Sequence, residues 1–234
     1  MLAMIISLFL LPACAPWRSQ GTTRKETHTP SSETMTTPVS RSIDLPKPKT
    51  KGALTLEEAI AKRRSVREFE PTPLTLEEIS QLLWAAQGIT HPGGYRSAPS
   101  AGALYPLEVY AVLAEGVYHY DPQAHRLNLQ AQGDLRPALH AAALYQDSVL
   151  EAPAVFVIAA VYQRTAQKYG RERSPRYVHL EAGHASQNLL LQAVALDLGA
   201  VPIGAFYDDQ VQEVLDLAGD QQPLYLIPVG HPRR

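Results

Sequence analysis

The chain has 234 residues, 45% apolar and 19% charged, with a formal net charge of −2. That composition is globular, which excludes wholesale disorder and collagen-like structure and argues against a nucleic-acid binder reliant on bulk positive charge. One cysteine excludes an intramolecular disulfide framework and a multi-cysteine zinc site, and no apolar run reaches the roughly 18 residues a spanning helix needs.

Residues 1–13 form a short apolar run ending in small residues before Cys14, which reads as a secretory h-region. Leu11-Pro12-Ala13-Cys14 resembles a bacterial lipobox, whose cysteine thiol is acylated. Residues 1–14 are therefore expected to be a lipoprotein-type signal, against the alternative of a buried terminal strand with a stray cysteine. Residues 15–50 are rich in Thr, Ser, Pro and charge and bury too little to offset the entropy of ordering. They are expected to be a disordered tether. A protein anchored at Cys14 faces the periplasm or the cell exterior; without a working signal it is cytoplasmic.

From residue 51 onward one folded domain is expected. Thr55-Leu56-Glu57-Glu58 and Thr75-Leu76-Glu77-Glu78 are capping boxes, opening helices that run to about Lys62 and to Gln87, the second stopped by Gly88. Residues 108–113, 117–120 and 125–129 read as short strands in a meander. Leu135 to about Val149 reads as one helix, and Ala154–Val161, apolar throughout, as a strand buried on both faces. A loop follows. Tyr177–Leu198 is the longest helix and is expected to be central, because its apolar residues spread around the axis. Asp208–Leu217 reads as a final helix and Leu224–Val229 as the last strand. The mixture lacks a βαβ rhythm and predicts an α+β fold.

Several familiar sites are absent from the string. It has no Gly-x-Gly-x-x-Gly fingerprint, no P-loop and no Gly-x-Ser-x-Gly elbow. Glu181 and His184 have the spacing of half a di-iron ligand set, but the second copy is missing. His179 and His184 sit roughly 140° apart on a helix. No metal site is expected, and these groups read as polar residues bonded within a helix interface.

Three stretches carry the candidate chemistry. Lys62-Arg63-Arg64-Ser65-Val66-Arg67 places four cations and a hydroxyl at a helix end. Guanidinium forks and a serine suit a phosphomonoester, although the same string also suits a solvated basic terminus favoured by the helix dipole. Ala98-Pro99-Ser100-Ala101-Gly102-Ala103 and Val201-Pro202-Ile203-Gly204-Ala205 are small-residue loops able to approach a flat ligand closely. Each alone is more often a turn than a site.

Together these stretches resemble the nitroreductase-like flavoproteins, in particular the SagB-type (azoline dehydrogenase) branch. The resemblance spans about 52–232 and rests on five motifs in order: residues 63–67, residues 99–106, Lys168-Tyr169-Gly170, residues 176–188 and residues 202–205. It implies an α+β fold with a mostly antiparallel sheet flanked by helices, a homodimer, and FMN bound across the subunit interface. Arg63, Arg64, Ser65 and Arg67 are then expected to hold the phosphate, the ribityl chain and the pyrimidine edge. Pro99, Ser100 and Gly102 would line the site from the partner subunit. Pro202, Ile203, Gly204 and Ala205 would lie along the ring with a backbone N–H aimed at N5, and Arg233 or Arg234 would grip the phosphate. Lys168 and Tyr169 are expected to take the proton from a thiazoline or oxazoline while hydride leaves to flavin, a desolvated Lys beside Arg164, Arg171 or Arg173 serving as base. The implied function is FMN-dependent oxidation of a small organic or peptide-heterocycle substrate. A nitro- or quinone reductase using NAD(P)H is the alternative, and a non-catalytic, lipid-anchored flavin- or partner-binding module is a third.

Overall fold

Both capping boxes close as their chemistry dictates. Thr55 and Thr75 accept hydrogen bonds from the N–H groups of Glu58 and Glu78, whose carboxylates bond back to the cap N–H groups. They open helices α1 (Leu56–Lys62) and α2 (Leu76–Gln87). The computed structural model describes residues 41–233; the expected signal, Cys14 and most of the expected tether, along with Arg234, lie outside the described residues.

The tether ends sooner than its composition predicts. Ser42–Asp44 is a strand, β1, paired antiparallel with β4 (Arg126–Gln132). Leu45 is buried. Beyond it, the Ser80 hydroxyl donates to the Pro46 carbonyl (2.6 Å), and Gln81 bonds both the N–H and the carbonyl of Lys49. These partners are distant in sequence, so local composition does not reveal them.

The meander forms as expected from β2 (Leu107–Leu113), β3 (Gly116–Asp121) and β4. β5 (Ala154–Val161), the two-residue β6 (Gly199–Ala200) and β7 (Gln221–Gly230) complete a seven-stranded sheet in the order β1-β4-β3-β2-β5-β7-β6. Every strand pair is antiparallel. All eight residues of β5 are buried because helices cover both faces. Phe156, Ile158 and Ala160 join a core with Leu82 and Leu83 of α2 and Leu189 of α6 (Ser174–Ala195). Val155, Val157 and Ala159 join a second core with Leu139, Val149 and Val211. Helices therefore stand on each side of one sheet, an α+β sandwich.

Three expectations are corrected. The helix expected over 135–149 is two helices, α3 (Arg136–Ala142) and α4 (Asp147–Glu151), because Leu144 and Tyr145 turn the chain with φ of 56° and 57°. The loop after β5 is instead a helix, α5 (Tyr162–Tyr169). The longest helix, α6, is buried along one side only: Val178, Ala182, Ala185 and Leu189 face the core, whereas Leu180 is 53% exposed. The last helix, α7, spans Asp208–Val214.

Candidate active site

The basic string leaves α1 at Arg63 and runs beside β6. Ser65 pairs with Ala200, and the Val66 N–H donates to the Ala200 carbonyl at 3.0 Å. Gly199 permits this approach: a Cβ there would lie 2.6 Å from a Val66 methyl. Because residues 202–205 follow directly, the fold brings the 63–67 cations and the second small-residue loop together. Arg64 folds back onto the Ala61 and Arg63 carbonyls. Arg63 and Arg67 form no ion pair among the described residues, and Ser65 and Arg67 are exposed. Two uncommitted guanidinium groups and an exposed hydroxyl fit a phosphate.

Residues 202–205 divide by their hydrogen bonds. Pro202 has no N–H, and the Ile203 N–H donates to Leu226 of β7 at 2.8 Å. Gly204 and Ala205 are exposed, and neither N–H donates to a backbone carbonyl among the described residues. Arg233 is placed elsewhere. Its N–H donates to the Glu68 carbonyl and its guanidinium to the Phe69 carbonyl (2.9 Å), with Glu151 at 3.5 Å. That guanidinium is committed within the chain, whereas Arg63 and Arg67, among the described residues of the basic string, are not.

The second cluster joins the Pro99–Gly102 turn to Lys168 and Tyr169 within one chain. Gly102 has φ of 65°, and a Cβ on it would lie 2.9 Å from Lys168 Nζ and 3.0 Å from the Tyr169 hydroxyl. Only a glycine admits both the backbone angle and the contact. Lys168 Nζ lies 5.6 Å from the centre of the Tyr169 ring, which packs at 4.7 Å on Tyr177. Lys168 is exposed in the single chain, so the expected desolvation is not supplied by the chain's own packing.

Of the three expected cationic neighbours, Arg164 lies one turn earlier on α5. It bonds the Tyr105 carbonyl at 3.1 Å and pairs with Glu108 of β2, which also bonds His119 at 2.6 Å. Burial pushes the Glu108 carboxyl up, but the His119 and Arg164 bonds outweigh it and hold the group below its usual range. Arg164 is thus charge-compensated and fixes the end of the 99–105 turn. Arg171 and Arg173 are exposed.

A buried polar group behind this turn escapes sequence reasoning except as a bonded helix residue. Glu181 of α6 is 2% exposed. Burial pushes its carboxyl up to about 7, against the opposing pull of Ser100, Arg96 and Gln87. Arg96 donates to Gln87 Oε1 at 2.9 Å and stacks 4.6 Å from the centre of the Tyr105 ring. Glu181 Oε1, Gln87 Nε2, Arg96 Nε and Ser97 Oγ are all buried without a partner among the described residues, a concentration of unsatisfied polar atoms at one place. By contrast His184 and His179 are exposed, the latter bonded to the Tyr162 hydroxyl.

A cavity of about 290 Å³ beside the basic string is lined by Lys62, Arg64, Val66 and Pro232. A larger one, about 510 Å³, is lined by Lys47, Lys49, Trp84 and Gln192 and contains none of the candidate residues. Of the candidate residues the smaller cavity is lined by Arg64 alone, so the hydrogen-bonding pattern of residues 63–67 and 202–205 is a better guide than volume.

An antiparallel sheet between helix layers, with a basic segment beside a small-residue loop, defines an α+β scaffold. The nitroreductase family matches residues 60–231, and the chain belongs to it. A Methanocaldococcus jannaschii protein named as a nitroreductase is 46% identical over 181 residues, 75% of this chain and 90% of that one. Trifolitoxin operon protein TfxC of Rhizobium leguminosarum is 24% identical over 199 residues, 76% of this chain and 56% of that one. Among solved structures, a nitroreductase from Ralstonia eutropha superposes with a TM-score of 0.77 at 34% identity, covering 83% of this chain and 91% of that one. The NADPH:FMN oxidoreductase of Vibrio harveyi, complexed with NAD+, shares the fold with a TM-score of 0.59 at 24% identity, covering 76% and 69%.

Proposed function

We propose that this nitroreductase-family oxidoreductase works with FMN and dehydrogenates a small organic or peptide-heterocycle substrate, in the manner of the SagB-type branch. The carrying observation is the seating of the Gly102 turn on the Lys168–Tyr169 pair. Arg63, Arg67 and Ser65 would hold the phosphate, and Gly204 and Ala205 would offer N–H groups to the ring edge. Bound FMN would supply the hydride acceptor. Lys168 and Tyr169 would receive the ring proton, so that the substrate gives up one hydride and one proton and gains a double bond. A relative named as a trifolitoxin operon protein, at 24% identity, and one named for trifolitoxin processing, at 28%, support the peptide-heterocycle reading.

A second proposed activity, reduction of nitro compounds or quinones by NAD(P)H, is favoured by the exposure of Lys168 and by the closer similarity to proteins named as nitroreductases. We further propose a homodimer that completes the site, and a lipid anchor at Cys14.

The full chain loaded with FMN separates the two activities. Oxidation of a thiazoline model without nicotinamide supports dehydrogenation; rapid bleaching of the flavin by NADPH with no thiazoline oxidation supports the reductase. Bound FMN with neither reaction marks a binding module. A colourless protein that cannot be reconstituted with FMN overturns the flavin assignment. Arg63→Ala with Arg67→Ala is expected to weaken FMN retention by roughly tenfold or more, two charge-assisted bonds being worth about 1.5–3 kcal/mol each.

A further inference from the structure

We propose that Glu108 is a positioning residue for the Lys168–Tyr169 pair, acting through Arg164, one turn earlier on the same helix. The proposal rests on the assignment of that pair as proton acceptor and adds the group that sets the lie of the helix bearing it.

α5 is weakly packed. Its eight residues are too few for a helix to hold by itself, and the one of them that is buried, Thr165, offers little apolar surface. β5 runs into it without a loop, which fixes where it begins. Its ties to α6 lie at its two ends: the Ser174 hydroxyl donates to the Tyr162 carbonyl at 2.8 Å, the Tyr162 hydroxyl bonds His179 at 2.6 Å, and the Tyr169 ring packs at 4.7 Å on Tyr177. Its tie to the 99–105 turn is Arg164, whose Nη1 donates to the Tyr105 carbonyl at 3.1 Å while Nη2 donates to Glu108 Oε1. Lys168 follows Arg164 by four residues, about 6 Å along the axis and on the same side of the helix. The orientation of the guanidinium therefore sets how that side of α5 meets the turn.

The anchor for that guanidinium is built on the sheet. Glu108 and Tyr110 are two apart on β2 and share a face. His119 of β3 pairs with Tyr110, their ring centres 4.9 Å apart, and its Nε2 bonds Glu108 Oε2 at 2.6 Å. The two carboxylate oxygens are thus taken by different partners, and the carboxylate cannot turn without breaking one bond. The Tyr110 hydroxyl in turn donates to Gln221 of β7 at 2.6 Å, which ties this face across the sheet. The Glu108 side chain is 13% exposed against 39% for Arg164, so the carboxylate is the fixed end and the guanidinium the end that follows. A guanidinium bonded to acceptors from two elements has one orientation. With the carboxylate removed, the remaining bond to Tyr105 is a pivot about which α5 can rock.

The test uses the full chain loaded with FMN, as wild type, Glu108→Ala, Arg164→Met and the double variant. Arg164→Met keeps the apolar stem of the side chain and loses the fork. Hydrogen exchange is read by mass spectrometry over 99–105 and 162–169, with 154–161 of β5 as the control. In each single variant, exchange over 99–105 and 162–169 is expected to quicken by about tenfold, the size of a short-range coupling, with 154–161 unchanged. The double variant should equal either single. Thiazoline turnover on the same samples is expected to lose about 10- to 100-fold in kcat at unaltered KM, the cost of a misplacement of about an ångström. Glu108→Ala should cost nothing further once Lys168→Ala and Tyr169→Phe have removed the pair. Exchange that stays at the wild-type rate in Glu108→Ala overturns the proposal, and so does quickening that includes 154–161, which would make Glu108 a general support of the sheet. Losses that add in the double variant overturn the route through Arg164. A kcat loss that persists in full without the pair, or a change confined to KM, also overturns it. Should Glu108→Ala fail to fold, Arg164→Met, at the more exposed end, decides alone. The exchange pattern without any thiazoline oxidation by wild type leaves the Glu108–Arg164 clamp standing and removes the dehydrogenase assignment.

Discussion

A carboxyl as deeply buried as that of Glu181 titrates against the fold. Its folded-state value, about 7, exceeds that of an unfolded glutamate, so the folded chain binds the proton more tightly. Stability from this group is full below the unfolded value and is lost as pH rises toward the folded one. The difference corresponds to about 3 kcal/mol at most. Glu181→Gln is therefore expected to raise the urea midpoint at pH 8 and to flatten the fall in stability between acid and neutral pH. An unchanged slope would show that the carboxyl is not the source. Glu108 behaves in the opposite sense. The His119 and Arg164 bonds hold its carboxyl low, so it stabilises the fold above the unfolded value and loses that contribution as pH falls through the folded one.

Among the elements, the helices with reciprocal caps were the most legible in the sequence. Thr75→Ala removes one side of a box whose Glu78 carboxylate also bonds the threonine hydroxyl, and a loss of about 1 kcal/mol is expected in denaturant titration. Gly199→Ala acts differently. It forces a Cβ into Val66, with an overpacking cost of about 1–3 kcal/mol, and the displaced strand should retain FMN less well than wild type in equilibrium dialysis. The strand at 154–161 was legible because eight consecutive apolar residues exceed what a half-exposed strand needs. The break between α3 and α4 was not, since Leu144 and Tyr145 carry no turn signature and adopt left-handed angles only because tertiary contacts impose them. The candidate site divides similarly. The cations of 63–67 and the small residues of the two loops were visible as chemistry. The meeting of Glu181 with Arg96 and Ser100 was not, because it joins α6 to a loop far away in the chain and follows no local period.

For the molecule as a whole, the proposed anchor has a simple check. Cys14→Ser is expected to move the protein from the membrane fraction to the soluble one after cell lysis; an identical distribution for both would remove the anchor. The folded body has a separate requirement at its other sheet margin. β1 covers the outer edge of β4, and with it the row of main-chain groups on that side: the Leu129 N–H, for example, donates to the Arg41 carbonyl. A version of the protein cut at residue 51, where the composition changes, would keep all the candidate site residues yet expose β4 as a bare edge. Bare edges recruit strands from other molecules. Such a fragment should be prone to self-association and poor yield for a reason unrelated to flavin, whereas one begun at residue 38 should remain dispersed. Comparing the two by light scattering would show whether three residues of strand protect this sheet from its neighbours.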